Sequence, residues 1–173
     1  MSNFNSQKII APIMRFVNLK GIIALKDGML AILPLTVVGS LFLIIGQLPF
    51  EGLNQAIASV FGDTWTEPFM QVYSGTFAIM GLISCFSIGY SYAKNSGVEP
   101  LPAGVLSLSS YFILLKSSYV PAKGEPIGDA IAKVWFGGQG IIGAIIIGLV
   151  VGAIYTVFIQ RHIVIKMPEQ VPQ

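Results

Sequence analysis

Formal charges leave four stretches of the 173-residue chain untouched: 28–50, 68–93, 100–115 and 134–160. Their lengths are 23, 26, 16 and 27 residues. A helix rises about 1.5 Å per residue, so crossing a hydrocarbon core of about 30 Å takes roughly 20 apolar residues. The first, second and fourth runs therefore predict spanning helices. The strongest pattern is Ile141 to Phe158, IIGAIIIGLVVGAIYTVF. The third, LPAGVLSLSSYFILL, is short. It spans if it tilts and Lys116 snorkels, or else it is re-entrant or shielded by protein. Pro34 predicts a kink in the first span, with the freed carbonyl near Leu30 finding a partner in Thr36 or a neighbouring helix.

Composition narrows the class. Hydrophobic residues make up 54% of the chain and charged residues only 10%, with a mean hydropathy of +0.76. Soluble domains carry about 25% charged residues, and disorder needs low hydrophobicity with high net charge. Both classes are excluded. One cysteine, Cys85, excludes a disulfide scaffold. With one His, His162, far from that Cys, the sequence offers no zinc ligand set. The expected fold is all-α and membrane-embedded, with about four transmembrane helices. The net charge of +2 does not point to nucleic acid.

The first apolar run is too long for a signal peptide core. Residues 8–26 read as an interfacial helix, with Ile9, Ile13, Phe16 and Val17 at helical spacing among Lys8, Arg15 and Lys20. The alternative is an ordinary basic flank, since Pro12 and Gly21 weaken a helix. Lys8, Arg15, Lys20 and Lys26 precede the first span, whereas the loop 51–67 has no Lys or Arg. The positive-inside rule then puts the N-terminus in the cytoplasm and Glu51–Glu67 outside. The loop 116–133 falls outside despite its three lysines, and the Arg161, His162 and Lys166 tail falls inside. The expected organisation is a cytoplasmic or interfacial segment 1–27, a transmembrane region 28–160, and a cytoplasmic connector 161–173.

No Asp, Glu, Lys, Arg or His lies inside the four runs. Proton relays and voltage sensors place ionisable groups there, so those classes are disfavoured. No catalytic residue, metal ligand or cofactor is expected. Cys85 reads as a small packing residue. Gly148 and Gly152 form a GxxxG pair suited to close helix packing.

One element stands out: Trp135, Phe136, Gly137, Gly138, Gln139 and Gly140, WFGGQG, which opens the fourth span. Three glycines in four residues let the backbone bend or approach a ligand. Aromatic rings stack on a pyranose face, and Gln139 both donates and accepts hydrogen bonds. These six are the candidate substrate-binding residues. The competing reading is an interfacial Trp followed by a glycine-rich helix start.

Five segments then resemble a known family in order and spacing. They are KDGMLAILPLTVVGSLFLII (26–45), YSGTFAIMGLISCFSIGYSYA (73–93), VEPLPAGVLSLSSYF (98–112), WFGGQG, and AIIIGLVVGAIYTVFIQRHIVIKMPEQVP (144–172). The family is the IIC (EIIC) sugar permease of the lactose/cellobiose class of bacterial phosphotransferase systems. The resemblance implies import of a disaccharide of the cellobiose, lactose or chitobiose type. It implies a IIB phosphocarrier partner that phosphorylates the sugar, and a homodimer in the complete member. Family members are more than twice this long, so the likeness is to the N-terminal part of a larger helical bundle. The family's sugar-binding His and Glu belong to the second half. His162 does not match that His, and Cys85 does not match the IIB phosphocysteine. The chain alone is expected to lack catalytic activity. A disrupted gene, a truncated gene model and one half of a split transporter are all compatible with this. The alternative function is a small self-contained four-helix membrane protein or assembly partner without transport activity.

Overall fold

The computed structural model describes residues 18–120, 125 and 127–163. The expected interfacial residues 8–17 and the connector beyond residue 163 lie outside them. Helices α1 (Lys20–Ala31) and α2 (Leu33–Gly46) form a pair bent by 41°. The bend sits at Ile32 because Pro34, at the second position of α2, has no N–H to continue α1's ladder. Thr36 does not rescue Leu30 as expected; its hydroxyl donates to the Leu33 carbonyl at 2.8 Å.

Helix α3 (Glu51–Phe61) occupies what the sequence presents as a polar loop. Leu53, Val60 and Phe61 on it are exposed. Then follow α4 (Glu67–Gly75), a 3-10 turn (Phe77–Ile79), α5 (Met80–Asn95), α6 (Pro100–Leu114) and α7 (Ile141–Gln160). Between α6 and α7 lies an antiparallel ribbon, β1 (Ser118–Tyr119) with β2 (Ile127–Gly128), pairing Ser118 with Gly128 and Tyr119 with Ile127. Glu67–Asn95 and Gly138–Gln160 are long and apolar enough to cross a bilayer, and the bent Lys20–Gly46 pair is a third such stretch. Helix α6 has 15 residues, about 22 Å of rise.

Helix α5 is the hub, with α1, α6 and α7 packed around it. Small residues set the distances. A Cβ on Gly28 of α1 would lie 2.8 Å from the Ile88 backbone, and one on Gly148 of α7 would lie 2.8 Å from the Cys85 carbonyl. Gly152 meets Tyr92 in the same way. Because 148 faces 85–88 and 152 faces 89–92, α7 runs parallel to α5. Gly89 faces Ala103, while Cys85, one turn earlier, bonds Ser107, one turn later, so α6 runs antiparallel to α5. Helix α1 also runs antiparallel, since Gly28 faces Ile88 and Asp27 bonds Asn95. The start of α1, the end of α5, the start of α6 and the end of α7 therefore share one end of the bundle. Helix α6 runs from that end to the other.

The core lining follows from this. Ser84, Cys85, Ile88, Ala103, Ser107 and Ala144 are buried. The Cys85 thiol donates to the Ser107 carbonyl at 3.3 Å, and Ser84 and Ser107 return their hydroxyls to carbonyls four residues back. Outward faces are apolar: Val37, Leu41 and Ile44 on α2, and Ile142, Ile146, Val150 and Ile154 on α7, are exposed. Such a belt suits lipid. The GxxxG pair of α7 is already partnered by α5 within the chain, so its packing role is internal.

Enlarging the hub contacts should separate helices. Gly28→Leu and Gly148→Leu are each expected to lower stability by about 1–3 kcal/mol, the usual range for overpacking. Gly143→Ala meets only an ordinary contact, Tyr111 at 3.9 Å, and should be near neutral. Thermal unfolding of the detergent-solubilised variants checks the contrast.

Candidate functional site

The WFGGQG element is built as two short 3-10 turns, Lys133–Phe136 and Gly138–Gly140, leading into α7. Its shape is forced by contact of backbone with backbone. A Cβ on Gly137 would lie 2.9 Å from the Ala78 carbonyl, and one on Gly81 would lie 2.8 Å from the carbonyls of Phe136 and Gly137. Gly140 is tighter still, with a Cβ reaching 1.8 Å from the Trp135 carbonyl and 2.1 Å from the Tyr111 hydroxyl. Only glycine fits there.

Tyr111, 2% exposed, closes the turn. Its hydroxyl donates to the Trp135 carbonyl at 2.5 Å and also lies 3.2 Å from the Gly140 carbonyl. One side chain of α6 thus ties both ends of the hexapeptide. A buried tyrosine needs such a partner, and the turn's carbonyls supply it.

The six sequence-predicted residues are not brought to one surface. Gly137, Gly138 and Gln139 line a cleft of about 400 Å³ with Tyr73, Ala78 and Lys133. Gln139 is exposed to it. Trp135, 47% exposed, lines a different cleft of about 480 Å³ with Leu114, Leu115 and Lys116. Phe136 is half-buried, edge-to-face on Phe112 with ring centroids 5.6 Å apart. Gly140 is buried beneath the turn.

Three residues missed by sequence reasoning complete the picture. Lys133 donates its ammonium to the Ser74 hydroxyl, joining the turn to α4. Tyr73 stacks on Phe77 with centroids 5.7 Å apart and borders the Gln139 cleft. Tyr111 is the third, and a lone tyrosine in an apolar run was the available signal. The Gln139 cleft therefore offers an aromatic ring, an amide and a cation: groups that bind hydroxyl-rich ligands, with no acid–base pair for catalysis. Among the described residues no three His, Cys, Asp or Glu gather as a metal site. His162 is exposed at the end of α7.

Comparison with known proteins agrees with this architecture. A family model described as "Phosphotransferase system, EIIC" matches residues 26–173. The lichenan permease IIC component of Bacillus subtilis (strain 168) is 40% identical over 155 residues, covering 86% of this chain and 34% of that protein. The cellobiose-specific EIIC component of Geobacillus stearothermophilus is 37% identical, with the same coverage of 86% and 34%. Among solved structures, the transporter ChbC, the IIC component from the N,N'-diacetylchitobiose-specific phosphotransferase system, superposes with a TM-score of 0.86. It shares 32% identity, over 98% of this chain and 40% of ChbC. The chain spans about a third of the length of the curated relatives it matches.

Removing the tie at the turn is a direct test of its construction. Tyr111→Phe strips both carbonyls of their hydroxyl partner at a cost of about 1–3 kcal/mol. Trp135 fluorescence, read in a Trp65→Phe background, should shift to the red as the turn loosens. An unchanged spectrum and unchanged unfolding midpoint would contradict the assignment.

Proposed function

The chain belongs to the phosphotransferase system EIIC family, and on that premise we propose that it forms the N-terminal part of a disaccharide permease of the cellobiose/chitobiose type. It is a membrane protein of the bacterial cell membrane, as its relatives and its apolar helices indicate. The observation that carries the finer reading is the likeness to ChbC at 32% identity over 98% of the chain. Relatives named for lichenan and cellobiose point to β-linked glucosides, and the Gln139 cleft has the ring, amide and ammonium that such a sugar engages. In this reading the permease imports the sugar, a IIB subunit phosphorylates it, and two copies associate in the lipid bilayer.

Orientation follows from charge. Lys20, Lys26, Lys94 and Arg161 belong to the bundle end that starts α1 and finishes α7, whereas Glu51, Asp63 and Glu67 lie towards the other. The positive-inside rule assigns the first end to the cytoplasm. Residues 28–160 then constitute the membrane region, with α6 as a short fourth crossing held between α5 and α7. The Gln139 cleft faces outward, where an incoming sugar arrives.

Two experiments test the reading. Replacing the matching N-terminal part of the cellobiose-specific relative with residues 26–173 should give a chimera that takes up cellobiose above an empty-vector control. Gln139→Ala in that chimera should reduce uptake about tenfold, the effect of removing a hydrogen-bonding group from a polar site. In a Cys85→Ser background, Asp63→Cys should label from outside the cell and Gly97→Cys only after permeabilisation. The reverse pattern would invert the topology.

A further inference from the structure

A crevice of about 390 Å³ lies between α1 and the second half of α5, within the common size range of ligand sites of about 300–1,000 Å³. Helix α7 packs on Cys85, Ile88 and Tyr92, whereas the crevice is lined by Phe86, Ser87, Tyr90 and Lys94, so it occupies the face of α5 turned away from α7. Its polarity is graded along the helix axes. Lys26 and Asp27 immediately precede the charge-free run 28–50, and Lys94 immediately follows the run 68–93. The charged mouth therefore sits at the edge of the hydrocarbon, at the level of lipid headgroups. Phe86, two helical turns before Lys94, lies about 12 Å deeper, and Ala31, one turn beyond Asp27, faces it from α1. Phe86 stacks on Tyr90 with centroids 6.1 Å apart and is backed by Gly104 of α6, where a Cβ would come within 2.7 Å of its ring. The inner wall is thus apolar and held in place.

The mouth carries both signs. Asn95 donates its amide to Asp27 Oδ2 at 2.8 Å, and Lys26 pairs with Oδ1 at 3.1 Å, which fixes the carboxylate across the opening. Each of its oxygens keeps a second lone pair. Lys94 is exposed and, among the described residues, forms no ion pair. Two ammoniums against one carboxylate call for an anion, and the carboxylate beside them calls for a further cation. A neutral ligand would leave Lys94 unanswered. A bare phosphate would be repelled by Asp27 and would leave the apolar inner half empty. A phosphate joined to a primary ammonium answers both charges, and an attached acyl chain answers Phe86 and Ala31.

We propose that the α1–α5 crevice binds one aminophospholipid, whose phosphate pairs with Lys94, whose ammonium donates to Asp27, and whose upper acyl chain lies against Phe86 and Ala31. The site depends on the chain's lying in a membrane and is independent of which sugar the permease carries. A lipid seated there bridges α1 to α5 on the side that α7 leaves open, and so stabilises the bundle by mass action.

The test titrates the detergent-purified full chain with phosphatidylethanolamine, phosphatidylcholine or phosphatidylglycerol of the same acyl chains and counts retained lipids by native mass spectrometry. The native chain should hold one phosphatidylethanolamine about tenfold more tightly than phosphatidylcholine, whose quaternary ammonium has no N–H to give Asp27. Asp27→Asn should make the two equal. Lys94→Gln should weaken both about tenfold, and Lys94→Arg, which keeps the charge, should restore retention and so separate loss of charge from loss of fold. Ser87→Leu, which fills the crevice without altering its charge, should weaken every lipid, whereas Lys116→Gln, beyond the far end of α6, should change nothing. Equal retention of phosphatidylethanolamine and phosphatidylcholine by the native chain would overturn the proposal, as would a preference that survives both Asp27→Asn and Lys94→Gln. Phosphatidylglycerol held as tightly as phosphatidylethanolamine would overturn the role of Asp27. Soluble glycerophosphoethanolamine displacing the lipid at equal concentration would overturn the role of the acyl chain and assign the crevice to a free headgroup.

Discussion

Everything in this fold depends on how closely three helices can approach α5. Lipid tails are as apolar as leucine, so burying apolar side chains between helices yields little in a membrane; dense contact must hold the bundle instead. The chain meets this with glycine at the contacts. Gly28, Gly148 and Gly152 bring α1 and α7 onto α5, and Gly89 and Gly104 share the α5–α6 seam. At each, the space for a Cβ is already filled by the neighbouring helix. The buried polar side chains respect the same economy: Ser84 and Ser107 satisfy their hydroxyls within their own helices, so the dry seam carries few unpaired groups.

The polar clefts are displaced towards the two ends of α5 for the same reason. Irregular backbone at membrane depth is tolerated only where protein shields it or a wet cavity adjoins it. The WFGGQG turn satisfies both conditions. Its inner side is pressed against Ala78 and Gly81 and tied by Tyr111, while its outer side opens with Gln139 to the cleft. The tie comes from α6, which at 15 residues is shorter than α5 and α7, and the tie gives that helix a reason to reach the turn. The tyrosine hydroxyl there shares its proton between the Trp135 and Gly140 carbonyls, at the two ends of the turn.

Charge-free runs made the second and fourth helices readable, because length and hydropathy alone decide them. The kink in the first was readable from Pro34, although its partner was not: Thr36 reaches Leu33, the nearer carbonyl, rather than Leu30. Helix α3 was not readable from charge counting, since an exposed helix between spans looks like any polar loop. The glycine pair on α7 correctly signalled close packing, but the sequence is silent on which helix supplies the other face. The site suffered most. Lys133 and Ser74 stand 59 residues apart and meet only through the fold. Conversely, Trp135 and Gln139 are neighbours in sequence, yet the 3-10 turns point them into different clefts. Local sequence proximity predicts a shared surface only for regular elements, and this segment is deliberately irregular.

The likeness to ChbC covers almost all of this chain and less than half of that one. What matches is therefore a packed unit with its own hub, its own turn and its own polar ends, rather than scattered helices. A unit of this kind supplies walls. Gln139, Tyr73 and Lys133 make one side of a cleft whose other side is open, and the α1–α5 crevice is likewise bordered by only two helices. A sugar needs enclosure to lose its water, so affinity in an open cleft is weak and grows with each wall added. The physical division of labour follows: the glycine-packed helices fix where the two clefts lie, and whatever encloses those clefts sets how tightly a ligand is held there.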